Sequence, residues 1–115
     1  MATIYHNPRC SKSRQTLALI TDQGIEPEIV LYLETPMDAQ TIGGLLKKLN
    51  LTARQLLRKG EQAYKEQRLA DTSLSDSQLI DAMVKFPKLI ERPIVVVDNR
   101  AIIGRPPEQV LEILQ

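Results

Sequence analysis

One cysteine, one histidine and no tryptophan occur in this chain of 115 residues, and aromatic residues make up only 3% of it. A lone cysteine, Cys10, cannot close an internal disulfide, which fits a reducing compartment. One histidine and one cysteine cannot complete a typical metal site, so no metal is expected. No apolar run approaches a membrane span and no basic-then-apolar leader follows Met1, so the chain reads as cytoplasmic with no membrane partner. The formal net charge of +1 gives no general attraction to a phosphate backbone, so no nucleic acid is expected either. What is present is ordinary for a soluble globular chain, 43% hydrophobic and 25% charged residues, at a length that suits one domain spanning 1–115.

Periodicity and punctuation divide the chain into elements. Thr3 to His6 reads as a first strand, followed by a helix from about Ser11 to Gln23 with Leu17, Ile20 and Thr21 in register and Gly24 as its stop. The apolar run Ile29 to Leu33 predicts a buried strand, which Pro36 ends. The middle is helical. Ile42, Leu45, Leu46 and Leu49 follow helical spacing, although Gly43 and Gly44 each cost that helix about 1 kcal/mol. Thr52 and Gln55 are spaced as a capping box for a short helix ending near Gly60, and Ser75 and Gln78 repeat the device ahead of Leu79, Ile80, Met83 and Val84. Ile94 to Val97 and Ala101 to Ile103 then flank Asp98-Asn99-Arg100 as a hairpin, and Pro106 and Pro107 open a last helix carrying Val110, Leu111, Ile113 and Leu114. The order β-α-β, helical block, β-β-α suits an α/β fold, a thioredoxin-like mixed four-stranded sheet with flanking helices and a helical insertion at about residues 37–88. An all-helical bundle would leave Ile94 to Val97 unexplained.

Chemistry concentrates around the thiol. His6-Asn7-Pro8-Arg9-Cys10-Ser11-Lys12-Ser13-Arg14 crowds an imidazole and three cations about one cysteine at a strand-to-helix junction. Positive charge and a helix start favour the thiolate, the reactive form, and the same groups bind anions. A small buried hydrophobe is the bland alternative for Cys10, but its polar neighbours oppose it. His6 reads equally as a core histidine or as a stabiliser of the thiolate. Lys12 and Arg14 fall in a first helical turn, where a cation is unfavourable unless an anion is bound. Arg105 repeats that anomaly ahead of the last helix. Arg92 precedes Pro93, a bond open to the cis form. Arg58 reads from its position as a solvated cation in the last turn of a short helix, where the dipole favours it.

Taken together, Ile4-Tyr5-His6-Asn7-Pro8-x-Cys10-x-x-Ser13-Arg14, Tyr32-Leu33-Glu34-Thr35-Pro36, Leu56-Leu57-Arg58-Lys59, Leu79-Ile80-Asp81, Arg92-Pro93-Ile94-Val95-Val96 and Gly104-Arg105-Pro106 resemble the glutaredoxin-linked arsenate reductase (ArsC) family along essentially the whole chain. The resemblance implies a thioredoxin-like fold, Cys10 as nucleophile, His6 as an aid to its activation, and Arg58, Arg92 and Arg105 as holders of the oxyanion. Ser13 and Arg14 of the same motif are grouped with the substrate-binding residues. Ser11 departs from the glycine that such reductases carry after the nucleophile. A redox switch of the Cys-x-x-Cys kind is excluded, because position 13 is serine.

The implied reaction is reduction of arsenate to arsenite through a Cys10 adduct, with glutathione as co-substrate, glutaredoxin as partner and no bound cofactor. Two other readings stand beside it. One is a glutathione-dependent reductase or transferase acting on another anion. The other is a non-catalytic thioredoxin-like module that binds a protein.

Overall fold

A computed structural model describes residues 1–114, which form two compact units, Met1–Thr35 with the stretch from Arg92 onward, and Pro36–Glu91. The first unit holds the whole sheet. Strand β1 (Ala2–Tyr5) pairs in parallel with β2 (Glu28–Val30) and antiparallel with β3 (Ile94–Val97), which pairs antiparallel with β4 (Arg100–Ile103). The strand order is β2-β1-β3-β4. The parallel pair needs a crossover, and helix α1 (Ser11–Asp22) supplies it. Gly24, at φ +77°, lets the chain leave that helix in a conformation other residues resist.

Register explains the core of this unit. Ile4 lies opposite Val95, and Val95 opposite Ile102, so one sheet face presents an apolar row. Ile4, Ile20, Val95 and Val110 are fully buried in one cluster, joining that face to α1 and to the 3-10 helix Pro107–Glu112. Full burial of such a side chain stabilises by about 1.5–3 kcal/mol. The β3 run Ile94–Val96 is buried throughout, as an inner strand requires.

Several expectations need correction. The run from Ile29 is no buried strand. It pairs only as far as Val30, at the sheet edge, and Ile29 is 48% exposed. Beyond it the N–H groups of Glu34 and Thr35 both donate to the Leu31 carbonyl, turning the chain. On α1, Thr21 is exposed, and the inward face is Ser13, Thr16, Leu17 and Ile20. The last helix is 3-10 rather than α, with Gln109 N–H returning to the Pro106 carbonyl and Ile113 N–H to that of Val110. Arg100 belongs to β4, pairing with Val97, so the hairpin loop is Asp98-Asn99, with Asp98 at φ 56°.

The second unit is helical. Helix α2 (Ala39–Leu49) is capped by the Asp38 carboxylate, which accepts from Thr41 N–H at 2.8 Å. Helices α3 (Ala53–Leu56) and α5 (Asp76–Lys85) both start with complete capping boxes, at Thr52/Gln55 and Ser75/Gln78. A further short helix not anticipated from the sequence, α4 (Gln62–Glu66), lies between them. Ile42, Leu45 and Leu46 of α2, Leu56 of α3, and Leu79 and Met83 of α5 are among the buried side chains of this unit. After α3, Arg58 N–H donates to the Leu89 carbonyl and Glu91 N–H to that of Leu56, a short antiparallel bridge centred on Leu57 and Ile90. Among the described residues no helix is long and apolar enough to cross a membrane.

Gly43 and Gly44 have open space where a Cβ would stand. Gly44→Ala is therefore expected to raise stability by about 0.5–1 kcal/mol, measured as the urea midpoint at unchanged slope.

Candidate active site

The thiol sits where β1 hands over to α1. Cys10 is the residue just before the helix, in an extended conformation (φ −95°, ψ 122°), and is half-buried. The loop behind it is fastened by its own backbone. Cys10 N–H donates to the Asn7 carbonyl, Arg9 N–H to the Asn7 side-chain oxygen, and Arg14 Nη1 to the Pro8 carbonyl at 2.8 Å. The Cys10 side chain closes no capping hydrogen bond. The first-turn N–H groups thus keep their capacity for an anion.

Burial pushes the Cys10 thiol up, but opposing pulls outweigh it. The Ser13 N–H, the Arg92 guanidinium, the Lys12 N–H and the Arg105 side chain together hold its pKa below the ordinary thiol value. Arg105 Nη1 lies 3.9 Å from the Cys10 sulfur and 3.2 Å from the Arg92 carbonyl, to which it donates. Arg92 and Arg105 are thereby tied to one another and to the thiol, although 13 residues separate them in the chain. Each precedes a proline through a cis peptide bond, Arg92-Pro93 and Arg105-Pro106.

His6 and Ser13 form a buried pair, Nδ1 to Oγ at 2.6 Å. Ser13 Oγ also accepts from Asn7 N–H at 3.0 Å, so its own proton is available to Nδ1 of a neutral ring, leaving the ring proton on Nε2. Burial first, and the Arg14 charge second, lower the His6 pKa, which favours that neutral form. The histidine thus reaches Cys10 through Ser13, whose N–H faces the sulfur while its hydroxyl faces inward. Ser13→Ala is expected to strand Nδ1 and the Asn7 N–H and to cost about 1–3 kcal/mol, read from urea denaturation. The same substitution should move the Cys10 titration less than loss of Arg105 does.

The other residues singled out in the sequence are placed as follows. Arg14 spends its guanidinium on the Pro8 carbonyl and so braces the thiol loop. Arg58 lies in the helical unit, beyond α3 rather than in its last turn. Its guanidinium donates to the Lys88 carbonyl at 3.2 Å and pairs with Glu61 at 3.3 Å. Among the described residues no three of His, Cys, Asp and Glu gather as a metal-holding group. Sequence reading overlooked Thr16, which is fully buried with its hydroxyl donating to the Lys12 carbonyl at 2.8 Å. A threonine at the spacing of the apolar face of α1 was the available signal.

Fold and site together define a thioredoxin-like protein built around a single thiol at the start of its first helix. Residues 5–113 match the model of the ArsC family, and the chain belongs to that family. It is 64% identical over 112 residues to the Escherichia coli (strain K12) protein described as uncharacterized protein YfgD, covering 96% of this chain and 94% of that one. To the arsenate reductase of the same strain it is 46% identical over 112 residues, covering 97% of this chain and 79% of the other. A solved structure of an arsenate reductase from Vibrio cholerae superposes with a TM-score of 0.96 at 53% identity, over 97% of this chain and 96% of that one.

Proposed function

We propose that this protein is an arsenate reductase that takes its electrons from glutathione and is restored by a glutaredoxin. The observation that carries the reading is the Arg105 guanidinium 3.9 Å from a thiol whose pKa is held down by cations and first-turn N–H groups. Relatives named arsenate reductase, at 46–47% identity over nearly the whole chain, support the choice of oxyanion.

The Cys10 thiolate attacks arsenic and displaces one oxygen as water. Arg92 and Arg105 offset the negative charge. Charge-assisted, bidentate arginine contacts suit a tetrahedral oxyanion. Glutathione then adds to the arsenic. The two sulfurs leave joined as a Cys10–glutathione disulfide, and their two electrons reduce arsenic from the +5 to the +3 state as arsenite departs. Because Cys10 is the only cysteine, an external thiol must reduce that disulfide by thiolate exchange.

One observation favours a second reading, the same chemistry on a different oxyanion. The chain is closer to YfgD, at 64%, than to the arsenate reductase of the same strain, at 46%. A coupled assay with pure protein, arsenate, glutathione, glutaredoxin, glutathione reductase and NADPH separates the two. Arsenate-dependent NADPH oxidation requiring both thiol components supports the first. A folded protein with a low-pKa Cys10 and no arsenate-dependent oxidation supports the second.

A further inference from the structure

We infer that Thr16 and Gly104 form a joint whose tight fit positions Arg105 against Cys10. The inference rests on the thiol-centred site proposed above, but on no particular substrate. Thr16 is fully buried on α1, six residues after the thiol. Its hydroxyl gives its one proton to the Lys12 carbonyl at 2.8 Å and stands 3.4 Å from the Gly104 carbonyl. The first bond alone is what a helical threonine ordinarily does. The second neighbour makes the difference, because Gly104 immediately precedes Arg105.

Gly104 sits in a slot between Thr16 and Pro93. A Cβ there would lie 2.5 Å from Thr16 Oγ1, 2.9 Å from Thr16 Cγ2 and 3.0 Å from Pro93 Cγ. Its φ is not in the left-handed region, so the need for glycine is close approach rather than backbone conformation. The Gly104 N–H donates to the Pro93 carbonyl at 2.9 Å, and Arg105 reaches back to the Arg92 carbonyl and to Cys10. Contacts therefore run in a closed ring. Cys10 precedes α1 and Lys12 lies in its first turn, Thr16 meets Gly104, Gly104 meets Pro93, and Arg105 returns to the sulfur. With no room for even a Cβ at Gly104, widening the Thr16–Gly104 contact moves the root of the Arg105 side chain. Thr16 and Gly104 touch neither thiol nor substrate, so both are positioning residues.

The test reads the thiol rather than turnover. In Gly104→Ala the midpoint of the Cys10 thiolate titration should rise, and alkylation of Cys10 by iodoacetamide near neutral pH should slow by about tenfold, as expected when an opposite charge leaves a thiolate. Adding Thr16→Ala removes two of the three close contacts and should return titration and alkylation most of the way to the parent values. Thr16→Ser, which keeps the hydroxyl and removes Cγ2, should leave both near the parent. If Gly104→Ala fails to fold, the double substitution decides. It should be folded, with a low Cys10 midpoint. A folded Gly104→Ala with an unchanged midpoint overturns the joint, and so does a double substitution no better folded and no more reactive than Gly104→Ala. Arsenate takes no part in these measurements, so a protein inactive toward arsenate leaves the test intact.

Discussion

Cys10→Ser is expected to reduce arsenate-dependent NADPH oxidation to the level of the assay without protein. A serine hydroxyl stays protonated at neutral pH, and no mixed disulfide can form through oxygen. The loss should come without unfolding. Cys10 is half-buried, and a serine hydroxyl of similar size at this position ahead of α1 can accept from the same first-turn N–H groups, so the variant should remain folded. With no second cysteine in the chain, another thiol of the same molecule cannot take over the chemistry. Activity retained in this variant would place the reaction elsewhere on the protein.

Arg105→Ala carries the next largest effect. It removes the guanidinium 3.9 Å from the sulfur, together with its tie to the Arg92 carbonyl. Loss of one charge-assisted contact costs roughly 1.5–3 kcal/mol, equivalent to about one to two decades in kcat/KM for the oxyanion. The pH dependence should move with it. Because Arg105 lowers the Cys10 pKa, thiolate reactivity in the wild type rises with pH and levels off once the thiol has ionised. Without Arg105 that plateau should begin at higher pH. Arg105→Lys restores a charge but not the planar fork, so it should recover the titration more fully than kcat/KM. A variant with unchanged kcat/KM and an unchanged pH profile would remove Arg105 from the site.

Much of this was legible in the sequence, for identifiable reasons. The two capping boxes were read correctly because their hydrogen bonds are local, set by residues three apart. The inner strand Ile94–Val97 announced itself by unbroken β-branched residues. Ile29 misled, because strand burial depends on position in the sheet, and hydrophobicity alone does not distinguish an edge from a centre. The inward face of α1 was only half visible, since Ser13 and Thr16 occupy buried positions that a hydrophobic pattern skips. Both are buried because their hydroxyls have partners, His6 and Asn7 for one and Lys12 for the other. The 3-10 form of Pro107–Glu112 was hidden because apolar spacing over six residues cannot separate it from an α-helix.

At the site, the two arginines singled out at helix starts are placed differently. Arg105 does face the thiol, whereas Arg14 turns back to the Pro8 carbonyl and braces the loop. The cations that act on Cys10 sit 82 and 95 residues along the chain, at Arg92 and Arg105, and only the folded sheet brings them there. Ser13, which the resemblance groups with the substrate-binding residues, turns its hydroxyl to His6, and its N–H helps hold down the Cys10 pKa.

The most direct measurement is the pH titration of Cys10 itself. Thiolate ultraviolet absorbance of the wild type is followed with Cys10→Ser as the blank, so that the three tyrosines common to both proteins cancel. A midpoint clearly below the ordinary thiol value of about 8.5 is the expected result. A midpoint at or above that value would show that burial dominates over Arg92, Arg105 and the first turn of α1, and would contradict the site as described.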